Sequence, residues 1–259
     1  MPHELAYQHY GDSGEPLIIL HGLFGSAKNW HSIARQLESQ FNIWALDLRN
    51  HGASPWDVTM NYPELADDLR YFIEQHQLAP ANLLGHSMGG KTAMTLALAL
   101  PTLVKRLIVV DIAPVNYNHS FIDYVQAMQH IDLSGLNRRS EVDQRLSETI
   151  QDTSIRMFLL QNLVFNTDHY DWRINLSALA ANMHYLTAFP QIDSDIQFKG
   201  ETVFLRGEKS DYILPVHEET ICHYFPNARI ETIANAGHWI HADQPQSLLA
   251  QLQKILGTE

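Results

Sequence analysis

Six short apolar runs rich in β-branched residues punctuate the 259-residue chain, and each ends in turn chemistry. They are PLIILHG (16–22), NIWALDL (42–48), NLLGHS (82–87), RLIVVDIAP (106–114), TVFLRG (202–207) and ARIETIANAGH (228–238). Runs that stay apolar at successive positions suit strands covered on both faces, as in a parallel sheet. Helical spacing of apolar residues fills 30–39, 62–77, 87–100, 215–225 and 245–256. Strand alternating with helix predicts an α/β fold with a doubly wound, mostly parallel sheet. In such sheets binding groups gather at the carboxyl ends of the strands.

The alternation breaks between the fourth and fifth runs. Residues 115–197 are helical and loop-like in pattern, with no strand expected, and carry Phe121, Tyr124, Met128, Met157, Phe158, Trp172 and Met183. The expected organisation is a core of 1–114 and 198–259 with a helical cap, 115–197, inserted over the site. Most of those large side chains are expected to pack the cap helices against one another.

At 85–89, G-H-S-M-G fits the strand–turn–helix nucleophile elbow G-x-S-x-G. The turn strains the serine backbone and exposes its hydroxyl, and the flanking glycines admit close backbone. The helix that begins there aims N–H groups at developing negative charge. Ser87 is therefore the candidate nucleophile. Of the 15 histidines, His238 in NAGHWIHAD follows the last strand and precedes the final helix, which lets it reach Ser87. An imidazole suits proton shuttling near neutral pH. His241 is expected in the wall of the site, His86 packed inside, and His76, His217 and His223 on helices.

Two carboxylates compete to orient His238: Asp111 in VVDIAP and Asp211 in LRGEKSDYILP. Both keep the chain order serine, acid, histidine. In the pattern G-x-x-D-x-x-x-P, counting from Gly207 reaches Ser210, whereas counting back from Pro215 reaches Asp211. The glycine is anchored to its strand, so its count is preferred. Ser210 then fills the usual acid slot as an auxiliary residue and Asp111 takes the role, with Asp211 the alternative. H-G-L-F-G at 21–25 supplies an oxyanion loop, and the expected donors are the N–H groups of Leu23 and Met88.

The net charge of −12 argues against a nucleic-acid partner. No apolar window is long enough for a membrane span. The first residues lack a basic segment followed by an apolar one, and Cys222 is the sole cysteine, so a reducing, cytoplasmic setting is expected. No cofactor or metal is expected, because there is no H-E-x-x-H and His238 and His241 do not form a persuasive metal pair.

HGLFGSAKNW, DLRNHGASP, MNYPELADDL, GHSMGGKTAM, VVDIAPV and AGHWIHAD together resemble the α/β-hydrolase superfamily over nearly the whole chain. Within it they are similar to the YbfF-type bacterial esterases and their abhydrolase-domain relatives. The resemblance implies a serine esterase acting on short acyl or acyl-thioester substrates beneath a small cap. Relatives of this type carry serine where Ser210 stands, which favours Asp111, while the adjacent Asp211 departs from that pattern. Asn50 stands where the superfamily has glycine and is expected to accept a left-handed conformation. Arg49 and Ser54 are expected to be structural. The expected function is carboxylester hydrolysis through an acyl-enzyme. A thioesterase or C–C bond hydrolase with the same triad is the alternative, and a non-catalytic binding protein the remaining one.

Overall fold

The computed structural model describes residues 1–257. The chain begins with β1 (Tyr7–Tyr10), β2 (Glu15–Leu20), α1 (His31–Leu37), β3 (Phe41–Leu46), α2 (Tyr62–Gln75), β4 (Ala81–His86), α3 (Met88–Ala99) and β5 (Val104–Val110). An insertion follows with α4 (Ile122–His130), α5 (Arg139–Ser147), α6 (Thr153–Leu159), β6 (Leu163–Asn166), β7 (His169–Trp172) and α7 (Leu176–Thr187). The chain then returns through β8 (Glu201–Gly207), α8 (Glu218–Tyr224), β9 (Ala228–Ile233), α9 (Ile240–Asp243) and α10 (Pro245–Leu256).

The main sheet has seven strands in the order β1-β3-β2-β4-β5-β8-β9. All pairings are parallel except β1 with β3. The six apolar runs become the six parallel strands, and both faces are covered in all but β9, the second sheet edge, where only Ile233 is buried. Ile18, Leu20, Leu83, Leu107 and Val109 face a core completed by α2, α3 and the insertion. Leu17, Ile19, Leu84, Ile108 and Val110 face α1 and α10 on the other side. β1 lies outside the six expected runs: its alternating YQHY is half exposed at the antiparallel edge, where apolar continuity is not required.

The insertion corrects a second expectation. It is not purely helical, since β6 and β7 form an antiparallel hairpin pairing Val164 with Asp171 and Phe165 with Tyr170. Its strands are short, and their polar, exposed residues hide the period-2 signal. Polar bonds tie the insertion to the sheet layer. Asn162 Nδ2 donates to Phe24 O at 2.8 Å, Asn175 Nδ2 to Asn50 Oδ1 at 2.9 Å, and the Tyr62 hydroxyl to Leu186 O at 2.7 Å. Asn50 does adopt φ +66°.

Arg49 is buried, and its guanidinium grips buried Asp68 through Nε at 2.6 Å and Nη2 at 2.8 Å. Removing one partner of such a pair strands a charge away from water, at a cost of about 3–5 kcal/mol. Asp68→Ala is therefore expected to lower the thermal midpoint by roughly 10 °C, read by circular dichroism. An unchanged midpoint would show that Glu64, whose carboxylate lies 3.4 Å from Arg49 Nη2, suffices to hold the guanidinium.

Candidate active site

Ser87 sits between β4 and α3 at φ 52° and ψ −117°, a region ordinary residues avoid. Its N–H donates to Val110 O at 3.0 Å, which fixes the turn to the neighbouring strand. Gly89 explains why the elbow needs glycine: a Cβ there would lie 2.5 Å from Leu20 O. The start of α3 thus packs directly on the end of β2, and Ser87 rises at the carboxyl edge of the sheet.

His238 comes from the loop between β9 and α9. Its Nε2 lies 3.1 Å from Ser87 Oγ, and its Nδ1 lies 2.8 Å from Asp111 Oδ2. Asp111 follows β5 at φ 53° and is fully buried. Its Oδ1 accepts the Gly207 N–H at 2.9 Å, and its Oδ2 also accepts the Ser210 hydroxyl. Because β5 lies between β4 and β8, one carboxylate at its end reaches both the histidine and the β8 loop. Asp211 is exposed and, among the described residues, has no hydrogen bond or ion pair. The structure therefore brings Ser87, His238, Asp111 and Ser210 together and leaves Asp211 outside. Tyr212, which no sequence motif singles out, stacks on the His238 ring with centroids 3.8 Å apart at 17°.

The turn at 21–25 lies across from the elbow. Gly25 N donates to Gly22 O at 2.9 Å, and Phe24 takes φ 62°. Leu23 and Met88 both border the space beside Ser87, and among the described residues neither backbone N–H donates elsewhere.

Two buried histidines hold this turn. His51 Nε2 accepts the Phe24 N–H at 3.2 Å, and His51 Nδ1 donates to Arg49 O at 3.0 Å. His21 Nε2 accepts the Leu48 N–H at 3.0 Å, and His21 Nδ1 donates to Gly22 O at 2.8 Å. Each ring must be neutral to accept, and burial pushes His21 down to about 4 and His51 to about 3. Burial also holds His86 well below the ordinary histidine value. It packs inside as expected, with Nε2 donating to His238 O at 2.8 Å and so steadying that loop. His241, expected in the wall of the site, borders neither cavity at Ser87; it stacks on Trp30 at 4.9 Å and meets the His86 ring at 5.0 Å.

Lys91, one helical turn beyond Ser87, is a buried charge beside the site that the motifs miss although a signal is present: a charge on a helix otherwise made of small and apolar residues. α3 is buried on every side, so the ammonium must find partners inside. Nζ donates to Val115 O at 2.9 Å, Thr187 O at 3.0 Å and Ala188 O at 2.6 Å. It also lies over the Tyr117 ring at 4.8 Å. Burial pushes its pKa down to about 7. Those carbonyls belong to the two ends of the insertion, so this one side chain fastens both to the elbow helix.

Two cavities meet at Ser87. The larger, about 220 Å³, is walled by Phe24, Phe121, Tyr124, Phe158, His238 and Trp239. The smaller, about 20 Å³, is walled by Met88, Lys91, Ile112, Tyr117, Met183 and Leu186. Phe121, Tyr124, Phe158 and Met183 thus line the site rather than only packing the insertion. Met128 and Trp172 are buried packing residues, and Met157 is exposed. Among the described residues, no three His, Cys, Asp or Glu side chains converge to hold a metal, and no helix is long and apolar enough to cross a membrane.

Residues 15–245 match the family model of the α/β hydrolase fold. The sn-1-specific diacylglycerol lipase ABHD11 of Xenopus tropicalis is 41% identical over 256 residues, covering 95% of this chain and 80% of that protein. Esterase YbfF of Escherichia coli (strain K12) is 32% identical over 245 residues, covering 94% of each chain. The solved structure of a marine microorganism esterase superimposes with a TM-score of 0.94 at 41% identity, over 98% of this chain and 99% of that one.

Proposed function

The chain belongs to the α/β hydrolase fold family and is a hydrolase of the esterase and lipase kind, and from that premise we propose that it cleaves short-to-medium carboxylic esters through an acyl-enzyme on Ser87. The observation that carries this reading is the unbroken relay from Ser87 Oγ to His238 Nε2 at 3.1 Å and from His238 Nδ1 to Asp111 Oδ2 at 2.8 Å. Ser87 Oγ attacks the ester carbonyl while His238 Nε2 takes its proton. The N–H groups of Leu23 and Met88 receive the oxyanion, each such donor being worth on the order of 10²–10³ in rate. His238 returns the proton to the departing alkoxide, and the acyl group stays on Ser87. Water then repeats the sequence and frees the acid. Asp111 holds His238 with Nε2 free to accept, and the Ser210 hydroxyl and Gly207 N–H hold Asp111. The insertion, 115–197, acts as a cap over the core of 1–114 and 198–259, covering Ser87 and supplying its apolar walls.

The test is trapping. Brief incubation with p-nitrophenyl acetate, quenched in acid, is expected to leave an acetyl group on the peptide carrying Ser87 and a stoichiometric burst of p-nitrophenol. Ser87→Ala is expected to show neither. Equal release by the two proteins would sink the proposal.

A further inference from the structure

The two cavities differ in size, in lining and, above all, in which of them His238 borders. Around the carbon of a tetrahedral intermediate stand Ser87 Oγ, the oxyanion, the acyl chain and the alkoxy group. The oxyanion is directed at the Leu23 and Met88 N–H groups. The alkoxy oxygen must lie within reach of His238 Nε2, because that nitrogen delivers the proton as the carbon–oxygen bond breaks. The electron pair of that bond leaves with the oxygen, the proton makes it a neutral alcohol, and the acyl carbon remains bound to Ser87. His238 and Trp239 border the 220 Å³ cavity and not the 20 Å³ one. The acyl chain is left with the small cavity.

We propose that the small cavity is the acyl subsite, sized for an acetyl or propionyl group, and that the large cavity is the alcohol subsite, so that the substrates are short-acyl esters of bulky apolar alcohols. This rests on the Ser87 acyl-enzyme reading and narrows it. Roughly 10–15 Å³ holds one water, so the 20 Å³ cavity admits a methyl or ethyl group and little more. The polar tips around it are already engaged. Lys91 Nζ spends its three protons on Val115 O, Thr187 O and Ala188 O. The Tyr62 hydroxyl donates to Leu186 O and the Tyr117 hydroxyl to Tyr212 O. His119, the remaining titratable group on this wall, is exposed and meets the Tyr212 hydroxyl through Nε2 at 2.7 Å, so the buried part of the cavity suits a small apolar acyl group. Across Ser87, Phe24, Phe121, Phe158 and Trp239 offer an alcohol an apolar wall.

Two substrate series on the wild-type enzyme separate the subsites. With p-nitrophenol as the constant alcohol, kcat/KM is expected to fall about ten-fold or more from acetyl to hexanoyl, as the added methylenes find no space. With acetyl constant and straight-chain alkyl alcohols of nearly equal leaving ability, kcat/KM followed in a pH-stat is expected to rise about ten-fold from ethyl to hexyl, less than full burial of four methylenes would give. Met183→Ala is expected to move the acyl optimum to longer chains while the ratio of kcat/KM for hexyl over ethyl acetate stays within about two-fold of wild type. Phe158→Ala is expected to lower the hexyl-over-ethyl ratio and to keep the acyl optimum at acetyl. Acyl preference rising through octanoyl, with Phe158→Ala changing that profile, would mean that the subsites are exchanged. Wild type inert toward both series would instead overturn the acyl-enzyme reading and this assignment with it.

Discussion

Asp111→Asn is expected to lower kcat/KM by on the order of 10⁴, while Asp211→Asn leaves it within about two-fold. The asymmetry follows from what each carboxylate touches. Asp111 Oδ2 accepts from His238 Nδ1 at 2.8 Å, which puts the ring proton on Nδ1 and leaves Nε2 bare to take the Ser87 proton. In the Asp111→Asn enzyme the amide oxygen keeps the Gly207 N–H, and the amide NH₂ faces His238 Nδ1. That nitrogen must then accept, the ring proton moves to Nε2, and the base is lost with little change in shape. The fold should survive, because asparagine is nearly isosteric and tolerates the φ of 53° found at this position. The loss should therefore fall on kcat, with an unchanged thermal midpoint. Asp211, among the described residues, has no such partner to lose. Steady-state kinetics on the two variants decide the matter, and an Asp211→Asn enzyme that collapses while Asp111→Asn does not would transfer the acid's role to the β8 loop.

The competition between those carboxylates marks how far the sequence can be read. Gly207 ends β8, and counting from it leads to Ser210, whose hydroxyl does donate to Asp111. Pro215 misleads because the loop between them is one residue longer than the usual pattern, and a loop absorbs an extra residue without moving the strand. Five of the parallel strands are legible because cover on both faces leaves mostly apolar runs, and edge strand β9 because β-branched Ile230, Thr232 and Ile233 lead into turn chemistry. β1 and the β6–β7 hairpin are not, since these edge and cap strands keep polar, solvent-facing residues. Ser87 and His238 are legible from local turn chemistry. Lys91, His21, His51 and Tyr212 are not, because their partners lie far along the chain. His51, for example, meets Phe24, and Lys91 meets Val115 and Thr187. The cavities are equally out of reach, since which of Phe121, Phe158 and Met183 faces the nucleophile depends on how the insertion docks.

That long-range dependence has a thermodynamic consequence in acid. His21 and His51 each accept a backbone N–H, so protonating either ring breaks a bond that shapes the turn at 21–25. Their folded values lie near 4 and 3, against about 6.5 in an unfolded chain. Below about pH 6.5 the unfolded chain binds protons that the folded one refuses. The stability these rings contribute is therefore full above pH 6.5 and is lost as the pH falls toward their folded values. At pH 5 the deficit is about 2 kcal/mol for each ring, or about 4 kcal/mol together, and His86 and His241, the latter pushed by burial to about 4, act in the same direction. For a domain of this size that corresponds to a thermal midpoint lower by roughly 10 °C at pH 5 than at pH 7.5. Ordinary carboxylates, titrating near pH 4, contribute little over that interval. His51→Gln keeps a donor and an acceptor without a titrating ring, and is expected to shrink the difference between the two midpoints. Equal midpoints in the wild type would mean that the rings take up protons in place. The Phe24 N–H would then lose its acceptor while the fold persisted, and the turn at 21–25, not global stability, would be the part of the molecule that acid disturbs first.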